Sequence, residues 1–152
     1  MKELDYNELT GEIADHLEKS INIVLATCAD GIVTGRTMNH INDGLNVIFS
    51  TSAGSEKTSQ IRANKNVALV CGPLQIQAVA EFCGTLSGNE AYSEKYYKKF
   101  PWLVNAFPSD PEAGDNSVLV VCRPKNIRFY KYLDRDAHWD ILDIENHKAY
   151  RI

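Results

Sequence analysis

Between Ile21 and Ser50 the chain holds three strand-like runs, the first β-branched and mostly apolar, separated by two tight polar turns. The first run is Ile21 to Cys28, and Ala29-Asp30-Gly31 ends it. The second is Val33 to Ile41, ended by Asn42-Asp43-Gly44, and the third is Leu45 to Ser50. Asp-Gly favours the hairpin turn whose central residues need positive φ. Turns this close together leave no room for the crossover helix a parallel pair requires. The spacing therefore predicts an antiparallel meander.

The flanking segments fit such a sheet. Residues 5 to 19 read as a helix with Leu9, Ile13 and Leu17 on one face and Asp5 or Asn7 as cap. A second helix runs from about Ser55 to Ala63 and stops at Asn64-Lys65-Asn66. Val67 to Cys71 is a short strand broken by Gly72-Pro73. Gln75 to Phe82 alternates clearly, with Ile76, Ala78, Ala80 and Phe82 on one face and Gln75, Gln77 and Glu81 on the other. Gly84 marks a bulge, with the strand resuming through Leu86. Asn89 to Phe100 reads as a helix closed by Pro101. Residues 101 to 116, with Pro101, Pro108, Pro111 and Gly114, read as an irregular crossing segment. Val118 to Cys122 and Ile127 to Tyr132 are two further strands around a bend at Arg123-Pro124-Lys125. The tail from Asp134 is charged with scattered aromatics and takes no assignment. The sum is six or seven mostly antiparallel strands with two to four helices. The expected class is mainly β with flanking helices, a barrel or closed sandwich, in a single domain over residues 1–152.

Composition removes several functions. A net charge of −4 lacks the basic excess of a nucleic-acid surface. Cys28, Cys71, Cys83 and Cys122 lack Cys-x-x-Cys spacing and sit in or beside apolar runs, where reduced thiols act as small hydrophobes. His16, His40, His138 and His147 show no metal spacing. The N-terminus begins with charge, and no apolar run approaches the ~20 residues of a membrane span. The expectation is a cytoplasmic protein without metal, nucleic-acid or membrane partner.

One stretch carries chemistry. Phe49 to Ile61 leaves a strand, passes through Ser50, Thr51, Ser52, Gly54 and Ser55, and enters a helix with Lys57 in its first turn. A helix start offers unpaired N–H groups and partial positive charge, so hydroxyls and a lysine there suit a phosphate. Arg36, after Gly35 in the second run, needs an anionic partner if it points inward, and its fork suits a phosphate or the carbonyl edge of a planar ring. His40 reads as a surface histidine ending the arginine strand, and Tyr92, Tyr96, Tyr97, Trp102 and Trp139 read as core or interface aromatics.

In order and spacing the chain resembles the FMN-binding split β-barrel family, the pyridoxamine 5′-phosphate oxidase-like proteins, of the general stress protein type. The matching pieces are Val24-Leu25-Ala26-Thr27, Asp30-Gly31, Arg36-Thr37-Met38, Asp43-Gly44, Phe49-Ser50-Thr51, Gly54-Ser55-Glu56-Lys57, Ile61-Arg62-Ala63-Asn64, Val67-Ala68-Leu69-Val70 and Gly84-Thr85-Leu86. A weaker echo covers Val118 to Tyr132. The resemblance implies FMN at a homodimer interface lined by both subunits. Arg36, Thr37, Met38 and Asn39 would run beside the ring and ribityl chain, and Ser50 and Thr51 would touch the flavin or its tail. Ser55 and Lys57 would hold the phosphate, and Gln75 or Gln77 would reach the flavin edge. The flavin then serves an oxidoreductase of unknown substrate, with a nicotinamide or small molecule as electron donor. The alternatives are a flavin-holding stress or sensor protein without turnover, or a split barrel for another planar cofactor, a deazaflavin or haem.

The chain also departs from the oxidase pattern. Glu56 stands where a second basic residue is common, and Ile41 where the oxidase has a substrate-binding lysine. The oxidase's tyrosine, arginine and serine set is missing around Tyr92 to Lys99, and its Arg-x-His signature is stretched into Arg135-Asp136-Ala137-His138. Oxidation of pyridoxamine phosphate is therefore not the expected reaction. No residue is singled out as catalytic.

Overall fold

The N-terminal helix forms as α1 (Tyr6–Lys19) because apolar residues four apart give it a buried stripe of Leu9, Ile13 and Leu17. Asp5 caps it, its carboxylate accepting the Glu8 N–H at 2.8 Å. The computed structural model describes residues 1–103 and 116–152. The part of the expected crossing segment that carries Pro108, Pro111 and Gly114 lies outside them. Around α1 stand β1 (Lys2–Glu3), β2 (Asn22–Ala29), β3 (Ile32–Asn39), β4 (Ile41–Asp43), β5 (Asn46–Ser52), α2 (Glu56–Ala63), β6 (Asn66–Cys71) and β7 (Leu74–Phe82). They are followed by α3 (Glu90–Lys99), β8 (Ser117–Leu133), β9 (Asp136–Asp143) and β10 (Lys148–Arg151). Every strand pair is antiparallel, in the order β1-β10-β9-β8-β7-β6-β2-β3, with β5 joined to β4 and β8. This is the expected antiparallel split barrel, mainly β with flanking helices.

The split is made by one strand. Residues 117–122 of β8 pair with β5, and residues 126–133 pair with β9 along the same edge, while β7 holds the opposite edge. The changeover falls at Pro124, which has no N–H to give a neighbour. Opposite β7 the register slips there, Gln77 facing Asn126 and Ala78 facing Pro124, so Lys125 is an extra residue. The two strands expected on either side of Pro124 are thus one bent strand.

The meander needs a correction as well. The second run does not continue to Ile41. It stops at Asn39, β3 pairs only with β2, and the β4–β5 hairpin turns away to β8. His40, Ile41 and Asn42 are all buried, and three consecutive buried residues cannot lie on a strand with one face toward solvent. The chain must leave the edge of β2 at His40. Two smaller expectations also change. The strand of Gln75 ends at Phe82 and does not resume through Leu86; only Cys83 and Gly84 keep bonds to Leu119, at 2.8 and 2.9 Å. The unassigned tail forms β9 and β10, so the described residues hold ten strands and three helices.

Two cores follow. The barrel interior holds Ile13, Leu25, Phe49, Leu69, Ile76 and Ile127 with their neighbours. A smaller cluster of Ile41, Ile48, Leu119, Val121, Tyr96 and Phe100 lies under α3. On β5 and the first half of β8 alternate residues enter alternate cores, so both faces are covered and the runs read as continuously apolar. All four cysteines are free thiols, and no helix among the described residues is long and apolar enough to cross a membrane.

Candidate functional site

Helix α2 lies against β2. Its start is built from hydroxyls. Ser55 is the N-cap, accepting the Thr58 N–H at 3.3 Å. Thr51 Oγ1 lies 3.3 Å from Ser55 Oγ, which lies 2.8 Å from Thr58 Oγ1, which donates to the Ser52 carbonyl at 2.9 Å. This chain ties the end of β5 to the first turn of α2. It leaves the N–H groups of Glu56 and Lys57 facing outward, as the first turn of any helix does. Ser50 is half-buried one residue before Thr51.

Arg36 reaches this helix from β3. It stands opposite Leu25, which is fully buried, so its side chain lies on the inward side of the sheet edge. Nη1 donates to Thr27 Oγ1 at 2.8 Å and to the Thr34 and Leu25 carbonyls at 3.2 and 3.3 Å, and Nη2 donates to Gln60 Oε1 at 2.7 Å. No carboxylate pairs with it among the described residues. Lys57 sits close by, half-buried and, among the described residues, without an ion pair or side-chain hydrogen bond of its own. Burial and the neighbouring Arg36 charge push its ammonium below the usual lysine range. Two adjacent cations, partly withdrawn from water and without an acid, suit an anion. Glu56, the acid that could have neutralised them, instead accepts from Gln60 Nε2 at 3.1 Å.

The remaining expected residues divide by face. Met38 stands opposite Ile23 and packs on the main core. Thr37 and Asn39 stand on the other side of β3, opposite Val24 and Asn22. Gln75 and Gln77 are exposed on that same outer face. One register row runs Thr37, Val24, Val70, Gln75, Arg128, and the next runs Gly35, Ala26, Ala68, Gln77, Asn126. Small side chains leave a shallow depression of about 340 Å³ there, lined by Ala26, Cys28, Val33, Ala68, Gln77 and Lys125. Around it Val33 is 70% exposed, Val70 42% and Val24 37%, an apolar sheet face turned to water. The candidate residues thus form an inner basic set and an outer face, back to back across β2 and β3.

Two residues of the inner set carry no signal a phosphate motif would flag. Thr27 and Gln60 bind both Arg36 and each other, yet polar residues alone do not announce direction. Thr27 could have been found by alternation, since it shares the inward phase of Ile23 and Leu25.

His40 corrects the surface expectation. It is fully buried, its Nε2 has no partner among the described residues, and burial followed by the Lys99 charge lowers its pKa to about 4. Lys99 donates to its carbonyl at 2.9 Å. Of the aromatics, Tyr96 lies in the smaller core, Tyr92 donates to Asp43 at 2.8 Å, Trp102 and Tyr97 are exposed, and Trp139 packs edge-on against Tyr130. No cluster of metal-ligating side chains occurs among the described residues.

Residues 9–131 match the family model described as pyridoxamine 5′-phosphate oxidase. A search of the curated proteins gives no match. Among solved structures, a putative pyridoxamine 5′-phosphate oxidase from Listeria innocua is 23% identical with a TM-score of 0.64, over 80% of this chain and 97% of that one. General Stress Protein 26 from Bacillus anthracis str. Sterne is 15% identical with a TM-score of 0.60, over 80% and 93%. A pyridoxamine 5′-phosphate oxidase-related, FMN binding protein from Nostoc punctiforme is 11% identical with a TM-score of 0.64, over 100% and 98%. At these identities the structures speak for the fold.

Proposed function

The chain belongs to the pyridoxamine 5′-phosphate oxidase family, and from that membership we propose that it is an FMN-binding oxidoreductase. One observation carries the reading: Arg36 and Lys57 stand near each other beside α2, and neither is ion-paired with a carboxylate among the described residues. The Nostoc protein is described as FMN binding, which supports a flavin phosphate as the missing anion. Ser55, Lys57 and the first-turn N–H groups would hold the phosphate, with Arg36 as second anchor. Ser50, Thr51 and Met38 would contact the tail and ring. When bound, FMN supplies the hydride and electron chemistry; the residues here bind, orient and screen it.

The outer face supports the rest of the proposal. Its exposed Val24, Val70 and Val33, with alanines between them, suit a second copy of the chain. Thr37, Asn39, Gln75 and Gln77 would then face the partner's flavin, and the cofactor would lie at a homodimer interface. A nicotinamide or small organic molecule is the donor, and the cytoplasm the setting.

The family's namesake reaction is not the reading. Ile41, in the place of the oxidase's lysine, is fully buried, and Arg135 sits in a turn at φ 70, facing solvent. Titration of the purified protein with FMN tests the proposal: flavin fluorescence should quench at one FMN per chain, and gel filtration should give a dimer. A protein that leaves added FMN free would overturn it. Anaerobic bleaching by a reduced nicotinamide, faster than free FMN allows, separates the enzyme from a flavin-holding protein without turnover.

A further inference from the structure

We infer that Gln60 is a positioning and specificity residue of the anion site: with Thr27 it aims one free edge of Arg36, and it holds the Glu56 carboxylate back from Lys57. The inference rests on the FMN reading above and concerns how the chain prepares for a phosphate.

A guanidinium carries five N–H donors in a fixed plane. Thr27 Oγ1 and Gln60 Oε1 are hydrogen-bonded to each other at 2.6 Å, and they receive Nη1 and Nη2 at 2.8 and 2.7 Å. That spacing matches the end of the fork, where the two Nη groups point side by side. The other Nη1 hydrogen faces the Thr34 and Leu25 carbonyls. What is left is the edge bearing Nε–H and the second Nη2–H, which point in parallel. No group among the described residues accepts from it. A phosphate presents two oxygens at the spacing of that edge. Arg36 is therefore held at one end and open along one side.

Gln60 makes this geometry one-way. Its Oε1 accepts two donors, and its Nε2 gives one hydrogen to Thr34 Oγ1 at 3.2 Å and one to Glu56 Oε1 at 3.1 Å. All four hydrogen-bonding valences of the amide are used. The reverse orientation would set its hydrogens against those of Arg36. A carboxylate at this position would neutralise Arg36 and repel Glu56; an alkyl side chain would release both. The amide is the side chain that accepts from the cation and donates to the acid at once. It also explains how a site with Glu56 beside Lys57 remains cationic.

Gln60→Leu, Gln60→Glu and the double variant Gln60→Leu/Glu56→Gln test this, each titrated with FMN and with riboflavin, which lacks the phosphate. Melting curves verify folding. Gln60→Leu should weaken FMN about tenfold while riboflavin changes less than about twofold, the size of one charge-assisted contact. Gln60→Glu should lose at least as much FMN affinity. Adding Glu56→Gln to Gln60→Leu should restore part of the loss. Folded Gln60 variants with an unchanged FMN-to-riboflavin ratio would show only a structural contact and overturn the inference, leaving the FMN reading intact. Wild-type protein that binds no FMN overturns both.

Discussion

Two basic clusters stand on this barrel, and they are finished differently. At the Asp140 cluster Arg151 grips a carboxylate that is 1% exposed, Nε to Oδ1 at 2.6 Å and Nη2 to Oδ2 at 2.8 Å. Lys131 adds a contact to Asp140 at 2.8 Å and one to Glu12 at 2.6 Å. Two cations meet two anions, and the cluster ties α1, β8, β9 and β10 together. Burial works against the Asp140 charge, but hydrogen bonds from Arg151 and Lys131 outweigh it and hold the carboxyl below the usual range. At the Arg36–Lys57 cluster Arg36 meets only neutral oxygens, and Lys57 has no side-chain partner among the described residues. A folded chain gains nothing from leaving two cations beside each other. The difference separates a cluster neutralised by its own acids from one that is not, which is what the proposed phosphate site requires.

Removing Asp140 should give the largest effect. Asp140→Ala strands Lys131 and Arg151 and should cost about 3 kcal/mol in urea unfolding, the scale of a broken buried pair. FMN affinity of the folded variant should stay as it was; a matching loss of both would blur the distinction. Lys57→Ala should do the reverse. It should weaken FMN binding by about 1.5–3 kcal/mol and leave the melting temperature of the free protein unchanged or raised, since it removes a like-charge neighbour of Arg36. Unchanged affinity would place the phosphate elsewhere.

The smallest effect is in pH. The folded Asp140 pKa is depressed, so its stabilisation is complete above the ordinary carboxylate value of 3.8 and is lost as pH falls through the folded one. Lys57 is also depressed, so the unfolded chain holds that proton better, and stability should rise as pH climbs toward 10.5. FMN should flatten this alkaline rise, because a phosphate favours the ammonium. Melting curves against pH, with and without FMN, show whether the alkaline limb belongs to Lys57.

Much of this was legible from residue order. Leu9, Ile13, Leu17 and Asp5 define α1, Asp30-Gly31 defines the β2–β3 turn, and the phase of Gln75 to Phe82 defines both faces of β7. Local chemistry set these, so local reading found them. His40 did not announce that the chain dives inward, because strand exchange depends on partners far along the sequence. Pro124 looked like a break because its tolerance depends on a changeover between β5 and β9. Asp140 lay in the unassigned tail, and its burial depends on Arg151, its partner on β10. At the site Arg36 and Lys57 were legible by charge. Gln60 and Thr27 were not, because their role lies in contacts between elements.

The strand β8 also sets an order of assembly. It closes the edges of β5, β7 and β9, and it begins only at Ser117. While the ribosome has made the chain no further than that, β5 and β7 both present open, apolar edges, the condition under which nascent sheets adhere to one another. The closing pairs span long sequence distances, so loop closure is slow relative to hairpin formation. Synthesis of the last quarter of the chain is therefore the interval in which a chaperone matters most, and a chain stopped before Ser117 should be recovered as aggregate on sedimentation.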